Sequence, residues 1–336
     1  VPKKNEDLIL FLIAAALYSF VVFYLPFACP ELPHTLSQKI EVVIPGGASA
    51  LEAAAIFEKG GVADDAQALS HAMAELGIDR AIKPGLYRLF KSTPKGVARQ
   101  LANAKPEANK ITLIPGSGSR ALAALFDYEE GGRELFVAAM KDDGNFHSGV
   151  REYLPDSADA RMIFLLPETY FVAPGKGAAA EFIKRASALW LERVGSELPK
   201  NSRKEVVLQS GILASLVEGE AKAADERPLL AGIFLSRMQK KMRLQSCASV
   251  VYAWGERGVK KRNLSYGDLK IDSPYNTYRN EGLPPSPICV PSEQSWLAAL
   301  HPRKSDFLFF FAGRDGRHVF SKSYEEHLRK QKELGL

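Results

Sequence analysis

Apolar residues fill every face of the run from Leu8 to Ala28, LILFLIAAALYSFVVFYLPFA, which contains no charged side chain. A run of this length matches the hydrocarbon core of a bilayer, and a buried helix in a soluble domain rarely stays apolar all round for so long. Lys3 and Lys4 before it and Glu31 after it favour a cytoplasmic N-terminus. A cleaved signal peptide has a shorter apolar core and a small-residue cleavage site, and Pro26-Phe27-Ala28-Cys29 is a poor lipoprotein box. The pattern predicts a cytoplasmic segment at 1–7 and an uncleaved anchor at 8–28.

Beyond Lys39 the periodicity shortens. Glu41 to Ile44 reads as a strand that turns at Pro45-Gly46-Gly47 and reaches a helix cap at Ser49. Leu51, Ala54 and Ala55, then Leu69, Met73 and Leu76, space two short amphipathic helices. Lys83 to Leu89 returns as a strand, which gives a β-α-α-β order, and Pro94 to Ala104 reads as a third helix. Ile111 to Ser119 repeats the strand-then-turn device, followed by an apolar helix over Arg120 to Phe126. Two copies are too few for a repeat array. Further helices are predicted over Gly177 to Val194, over Ser202 to Val217 or beyond, and from Asp225, where Pro228 suits an early helical position. Leu230, Ile233, Phe234 and Met238 form the buried stripe of the last of these. Phe307 to Ala312 reads as a buried strand, Gly313 to Arg317 as a turn and His318 to Phe320 as its return strand, before a polar helix over Tyr324 to Leu336.

Composition narrows the classes. A 46% hydrophobic and 25% charged chain of 336 residues is an ordinary folded protein with room for about two domains. The net charge of +5 has no clustered basic block, which argues against a nucleic-acid partner. Cys29, Cys247 and Cys289 have no Cys-x-x-Cys spacing, and the six histidines lack helical ligand spacing, so no metal or cofactor is expected. A single Cys247–Cys289 bridge stays open for an oxidising compartment. Gly116 and Gly118 lack the Walker lysine and the dinucleotide glycine spacing and read as turn chemistry. Ser117 and Ser119 lack the strained elbow of a serine hydrolase.

The densest chemistry lies in Leu244 to Tyr252, Ser273 to Tyr278 and Gly282 to Ile288, where amides, hydroxyls and aromatic rings crowd a turn-rich sequence. Such a surface suits a sugar chain, whose faces take apolar rings and whose hydroxyls take convergent polar groups. Gln245, Asn276 and Thr277 could orient hydroxyls and acetamido groups, and Tyr252, Tyr275 and Tyr278 could stack on rings; tyrosines in turns serve as core caps about as often. Upstream lie Glu218 and Glu220. On a helix continued through Glu218, the residues three, four and seven positions earlier are Ser215, Ala214 and Gly211, a small face with room for a substrate. Glu220 falls behind Leu213, Leu216 and Val217, an apolar face that would desolvate it. Either carboxyl fits a proton donor, and a solvated helix end fits Glu-Gly-Glu equally well. Most glycosidases add a second carboxylate. Glu168, Asp225 and Asp272 are available, and no spacing singles one out; the other route is a substrate that supplies its own nucleophile.

These segments, in order, resemble the endolytic murein transglycosylase (YceG-like) family. The likeness rests on the apolar anchor, Ile44-Pro45-Gly46, Leu166 to Tyr170, Ala214 to Glu220, Glu226-Arg227-Pro228, Met242 to Gln245, Ser273 to Tyr278, Gly282 to Pro285 and His318-Val319-Phe320. The resemblance implies an α+β fold: an N-terminal transmembrane helix, a small LysM-like β-α-α-β module at 38–105 and a larger YceG-like catalytic domain at 106–336. It also implies Glu218 as the catalytic acid, Glu220 in support, and Gln245, Tyr252, Tyr275, Asn276, Thr277 and Tyr278 on the substrate. The implied reaction is endolytic cleavage between N-acetylmuramic acid and N-acetylglucosamine of nascent strands, leaving 1,6-anhydro ends and ending strand elongation. Glu218 protonates the bridging oxygen and, as carboxylate, deprotonates the muramyl C6 hydroxyl, so one carboxyl acts twice and no second carboxylate is needed. The implied setting is the bacterial inner membrane, single-pass, with the catalytic domain on the extracytoplasmic side and peptidoglycan synthases of elongation or division as neighbours.

The chain departs from the family pattern at Cys247-Ala248-Ser249, where Asp-Pro-Thr is usual, at Gly219, where lysine is usual, and at Ser286, where glycine is usual. Gly219 is expected to loosen the backbone beside the acid, and the lost aspartate removes a charge from the cleft. Two rival readings remain: a non-catalytic wall-binding scaffold, and a muramidase that places solvent oxygen at the new end.

Overall fold

The computed structural model describes residues 38–335 apart from Glu129 and Arg262, so the apolar run at 8–28 and Cys29 lie outside the described residues. Among those described, no helix is long and apolar enough to cross a membrane. The chain divides into two compact units between Glu107 and Ala108.

The first unit runs β1 (Ile40–Ile44), α1 (Ala50–Lys59), α2 (Ala66–Glu75), β2 (Gly85–Leu89), α3 (Pro94–Asn103). β1 and β2 pair antiparallel, with Val42 opposite Tyr87 and Ile44 opposite Gly85. Because side chains alternate along a strand, Val42 and Ile44 point inward together onto Phe57, Leu69 and Met73, while Glu41 and Val43 face out. Ser49 starts α1 with a reciprocal capping box: its hydroxyl accepts from the Glu52 amide and the Glu52 carboxylate accepts from the Ser49 amide. Phe57 meets Tyr87 edge-on at 5.6 Å in the centre of this small core.

The second unit is built mostly of helices: β3 (Asn109–Thr112), α4 (Ser119–Ala124), α5 (Gly132–Lys141), β4 (Thr169–Val172), α6 (Ala178–Arg193), α7 (Lys204–Glu220), α8 (Arg227–Gln239), α9 (Cys247–Glu256), α10 (Glu293–Leu300), β5 (Phe309–Ala312), β6 (His318–Ser321) and α11 (Tyr324–Glu333). Its strands form two separate antiparallel pairs, β3–β4 and β5–β6. The core centres on α6, where Trp190 is fully buried between Phe164 at 4.8 Å and Trp296 of α10 at 5.3 Å, both edge-on. The indole N–H of Trp296 donates to the Ile163 carbonyl at 3.1 Å. That bond ties α10 to the turn at Asp159–Phe164, and the Trp296 ring packs beside Gly211 in the middle of α7.

Two predicted elements change character. Leu244 to Tyr252 is not wholly turn-like: from Cys247 it is α9, capped by Ser246, whose hydroxyl accepts from the Ser249 amide. The segment Phe307 to Ala312 is half-buried rather than buried, because Phe310 packs inward on Phe234 while Phe309 leans toward Tyr324 and His327 of α11. Met238 is likewise only partly covered on α8, where Arg237 takes the buried place. Cys247 and Cys289 are free thiols, Cys247 exposed and Cys289 buried, so the bridge left open above does not form. Cys289 instead donates to the Ser215 carbonyl at 3.4 Å, and burial, with the Glu218 charge adding to it, pushes its thiol up.

Candidate functional site

Glu218 sits in the last turn of α7, its side chain 9% exposed. Oε2 accepts three hydrogen bonds: from the Ser292 amide at 2.9 Å, the Ser292 hydroxyl, and the Ser295 hydroxyl at 2.7 Å. Ser292 is the N-cap of α10, so the carboxylate faces the end of a helix where unpaired amides favour negative charge. Oε1 has one charged neighbour, Arg227 Nη2, at 3.5 Å. Arg227 is itself held, its Nε donating to Ser295 Oγ at 3.0 Å. One oxygen of the carboxylate is thus saturated by the protein, and the other has a single long contact.

The small face of α7 does not stay open as predicted. At Gly211 an added Cβ would meet Trp296 at 2.8 Å and Ile163 at 2.5 Å, and Ser215 Oγ accepts the Ile288 amide at 3.1 Å. Small residues there let α10 and the segment around Ile288 approach the helix closely, which leaves only the last turn to present a carboxyl. The turn after β3 supports the same segment: Gly116 N–H donates to the Val290 carbonyl and Val290 N–H to the Ser117 carbonyl, both at 2.8 Å, with Gly116 at φ +81°. The glycine turn read from the sequence therefore fixes the approach to Ser292.

Glu220 turns away from the apolar face predicted for it. Its Oε1 accepts from the Ser246 hydroxyl and from the Ala248 amide at 3.1 Å, and so caps α9. Gly219 lies where α7 and α9 touch: an added Cβ would stand 2.7 Å from Ala248 Cβ and 3.3 Å from Ile288 Cδ1. It is a helical residue whose missing Cβ permits a close crossing.

The Ser273 to Tyr278 segment wraps this junction. Thr277, 1% exposed, accepts from the Ser246 amide at 2.9 Å and bonds the Ser249 hydroxyl at 2.9 Å. Asn276, fully buried, donates to the Leu269 and Ile271 carbonyls and accepts from the Tyr278 amide. In this arrangement the Asn276 side chain is spent on the loop itself and that of Thr277 on the start of α9. Gln245 is exposed at φ +51°, its backbone N–H donating to the Thr277 carbonyl at 3.1 Å and its side-chain carbonyl accepting from Arg237 Nη1 at 3.4 Å. Strained backbone of this kind gathers at functional sites. Tyr252 and Tyr275 pack at 4.7 Å, Tyr275 Oη bonds Ser286 Oγ at 2.7 Å, and Tyr278 Oη lies 3.2 Å from Cys247 Sγ. All three rings are partly exposed, and burial pushes the Tyr252 and Tyr278 hydroxyls up. Ser286, where glycine is usual, thus gains a partner in Tyr275.

Arg227, Ser292 and Ser295 were missed by the reading of chemistry along the chain. The signal was present in Ser292-Glu293-Gln294-Ser295, a cap pattern before the apolar Trp296-Leu297-Ala298-Ala299. Of the candidate second carboxylates, Glu168 accepts from the Thr169 amide, Asp225 pairs with Arg317, and Asp272 is exposed beside Arg279; none shares a partner with Glu218. An apolar cavity among Leu122, Phe136, Val137, Met140 and Met162 does not include Glu218. Side-chain chemistry rather than enclosure therefore marks the site. Among the described residues no cluster of His, Cys, Asp and Glu could hold a metal.

An α+β protein in which a largely buried carboxyl, Glu218, is cradled by two serine hydroxyls and an arginine is the class that fold and site define. The YceG-like family model matches residues 42–333, and the chain belongs to that family. The endolytic murein transglycosylase of Bacillus subtilis (strain 168) is 32% identical over 303 residues, 86% of this chain and 82% of that protein. That of Streptococcus pneumoniae (serotype 2, strain D39) is 27% identical over 319 residues, 86% of this chain but 57% of the longer streptococcal protein. A crystal structure of a yceG-like protein from Listeria monocytogenes aligns with a TM-score of 0.54 at 29% identity, covering 88% of this chain and 99% of that one.

Proposed function

We propose that this protein is a peptidoglycan lytic transglycosylase that cuts glycan strands internally with Glu218 as its only acid–base group. The observation that carries the reading is the divided carboxylate: Oε2 held by Ser292 and Ser295, Oε1 left for substrate. In the first half-reaction the Glu218 O–H gives its proton to the oxygen between N-acetylmuramic acid and N-acetylglucosamine, and the C1–O bond breaks. In the second, the muramyl C6 hydroxyl attacks C1 while the Glu218 carboxylate takes its proton. The carboxyl is restored, no water is consumed, and a 1,6-anhydro end remains, so the enzyme is a lyase. Holding O6 against C1 supplies the nucleophile at high effective concentration.

A group that alternates between acid and base needs a cradle that tolerates both forms. Two of the three contacts on Oε2 are hydroxyls, which can turn from donor to acceptor as the proton moves. Glu168, Asp225 and Asp272 are engaged with other partners, which favours the lyase over a two-carboxylate hydrolase. Tyr252, Tyr275 and Tyr278 offer partly exposed rings for sugar faces, and Gln245 an exposed amide. Asn276 and Thr277 act from inside the loop by shaping it. In this reading the first unit, with its strand-helix-helix-strand order, is a LysM-like glycan-binding module. Residues 8–28 anchor the chain in the inner membrane with the catalytic unit on the extracytoplasmic side, where the polymer lies and where strand synthases work.

Glu218→Gln tests the reading. Digestion of purified glycan strands, followed by mass analysis, should show anhydro-muropeptides from the wild type and about 10²- to 10⁴-fold less from the variant, the usual worth of general acid–base catalysis. Full activity in the folded variant defeats the assignment. Solvent oxygen at the new end identifies a muramidase, and absence of any product from the wild type identifies a binding scaffold.

A further inference from the structure

His318-Val319-Phe320 lies in the C-terminal hairpin, in a segment that the acid–base scheme leaves without a task. The His318 ring is 5% exposed, with Nδ1 at 2.8 Å from Glu226 Oε2, and the His318 amide donates to Glu226 Oε1 at 3.1 Å. A carboxylate oxygen accepts, so the geometry assigns His318 Nδ1 as the donor in this pair. Glu226 is also 5% exposed and has Arg317 Nε at 3.4 Å. It stands at the N-cap of α8 yet makes no side-chain cap bond there. Its carboxylate goes to the hairpin instead.

The next residue is Arg227. Its guanidinium reaches the other way, to Ser295 and Glu218. One peptide unit therefore joins a buried Glu–His pair to the cation beside the proton-transfer oxygen. The far end of α8 repeats the device: Arg237 Nε donates to the Leu308 carbonyl at 2.7 Å, just before β5, and its Nη1 donates to the Leu244 carbonyl at 2.7 Å, just before Gln245. Holding a hairpin on a helix does not itself require buried charge, since buried ion pairs are often replaceable by apolar packing without loss of stability. Charge and direction matter when the backbone they fix carries a functional side chain.

We infer that His318 and Glu226 are positioning residues of the proton-transfer site: the pair locks the start of α8 so that Arg227 stays aimed at Glu218 Oε1. This rests on Glu218 being the acid–base group. His318 touches no substrate, so its effect falls on the rate of the chemical step and spares binding.

The test uses the full chain and glycan strands, with wild type and Glu218→Gln as controls for the underlying reading. His318→Ala should lower kcat about 10- to 100-fold at unchanged KM, the scale of a small misplacement of a reacting group. His318→Asn, which keeps a donor near the Nδ1 position, should stay within about threefold of wild type, while His318→Gln, which moves the donor outward, should not. In an Arg227→Lys background His318→Ala should cost less than about twofold more, because both changes break one connection. Equal kcat for Asn and Gln, or an undiminished loss in the Arg227→Lys background, overturns the inference. If Glu218→Gln remains active, the acid–base reading fails first, and the control shows it. If His318→Ala does not fold, the Asn and Gln pair decides alone.

Discussion

Ser295 carries two contacts on one hydroxyl, giving its proton to Glu218 Oε2 and accepting from Arg227 Nε. Ser295→Ala leaves a buried carboxylate one donor short and an arginine without its guide. The expected result is a kcat lower by about 10- to 100-fold at similar KM, with a stability loss of about 1–3 kcal/mol for the unmet polar groups. Steady-state kinetics on soluble strands and urea denaturation read the two effects separately. At Gly219 the argument is steric. Its absent Cβ would stand 2.7 Å from Ala248 Cβ, so Gly219→Lys, which restores the residue usual in the family, should destabilise by about 1–3 kcal/mol by forcing α7 and α9 apart. Adding Ala248→Gly should recover most of that loss, and a double-mutant cycle by denaturation measures the recovery. The family departures at 219 and 248 are then one packing solution rather than two defects. At this scale the sequence revealed residue types but not directions. Glu218 could be told from Glu220 only by resemblance, because both partners that orient them, Ser292 and Ser246, lie on segments distant in sequence.

A long helix with a clean apolar stripe was legible within a residue even without a side-chain cap, as α6 shows, read at Gly177 to Val194 and found at Ala178–Arg193. α9 was obscured because Cys247, Ser249, Val250 and Val251 carry no strong helix preference, and its start depends on Glu220, which is far away in sequence. The loop beyond α9 is tied by Asp268, whose Oδ1 pairs with Lys261 Nζ at 2.8 Å and whose Oδ2 takes the Ser265 amide and hydroxyl, each at 2.8 Å. Lys261 first, then Ser265, hold this carboxyl down at about 2 against an ordinary 3.8. A carboxyl depressed on folding stabilises fully above its unfolded value and loses that contribution as pH falls through its folded value. Asp268→Asn should therefore lower Tm at pH 5 and above, and the gap to wild type should close between pH 3.8 and about pH 2. Melting curves by circular dichroism across that range check it. A gap unchanged at pH 2 means that the loop is held by something else.

Each unit has its own buried apolar cluster: Ile44, Phe57, Leu69, Met73 and Val97 in the first, Phe164, Phe182, Trp190 and Trp296 in the second. Chain length left room for about two units, and the bounds 38–105 and 106–336 came only with the family resemblance, because short strands and amphipathic helices of the same spacing run on both sides of them. The arrangement proposed for catalysis was not legible at this scale, since α7, α8, α10 and the hairpin come together only in the folded second unit. Separate cores predict separable folding. A fragment spanning 38–107 is small but within the size at which a single core suffices, and its strand pair, capped helices and the Phe57–Tyr87 contact all close inside it. It should melt cooperatively alone. A fragment spanning 108–335 holds Glu218, Arg227, Ser292, Ser295 and His318, so it should keep the wild-type kcat on short soluble strands. Its KM on long strands should rise if the first unit binds glycan. The contrast between short and long strands separates the roles: a fall in kcat on both means that the first unit completes the catalytic site, and an unchanged KM on long strands means that it does not grip the polymer.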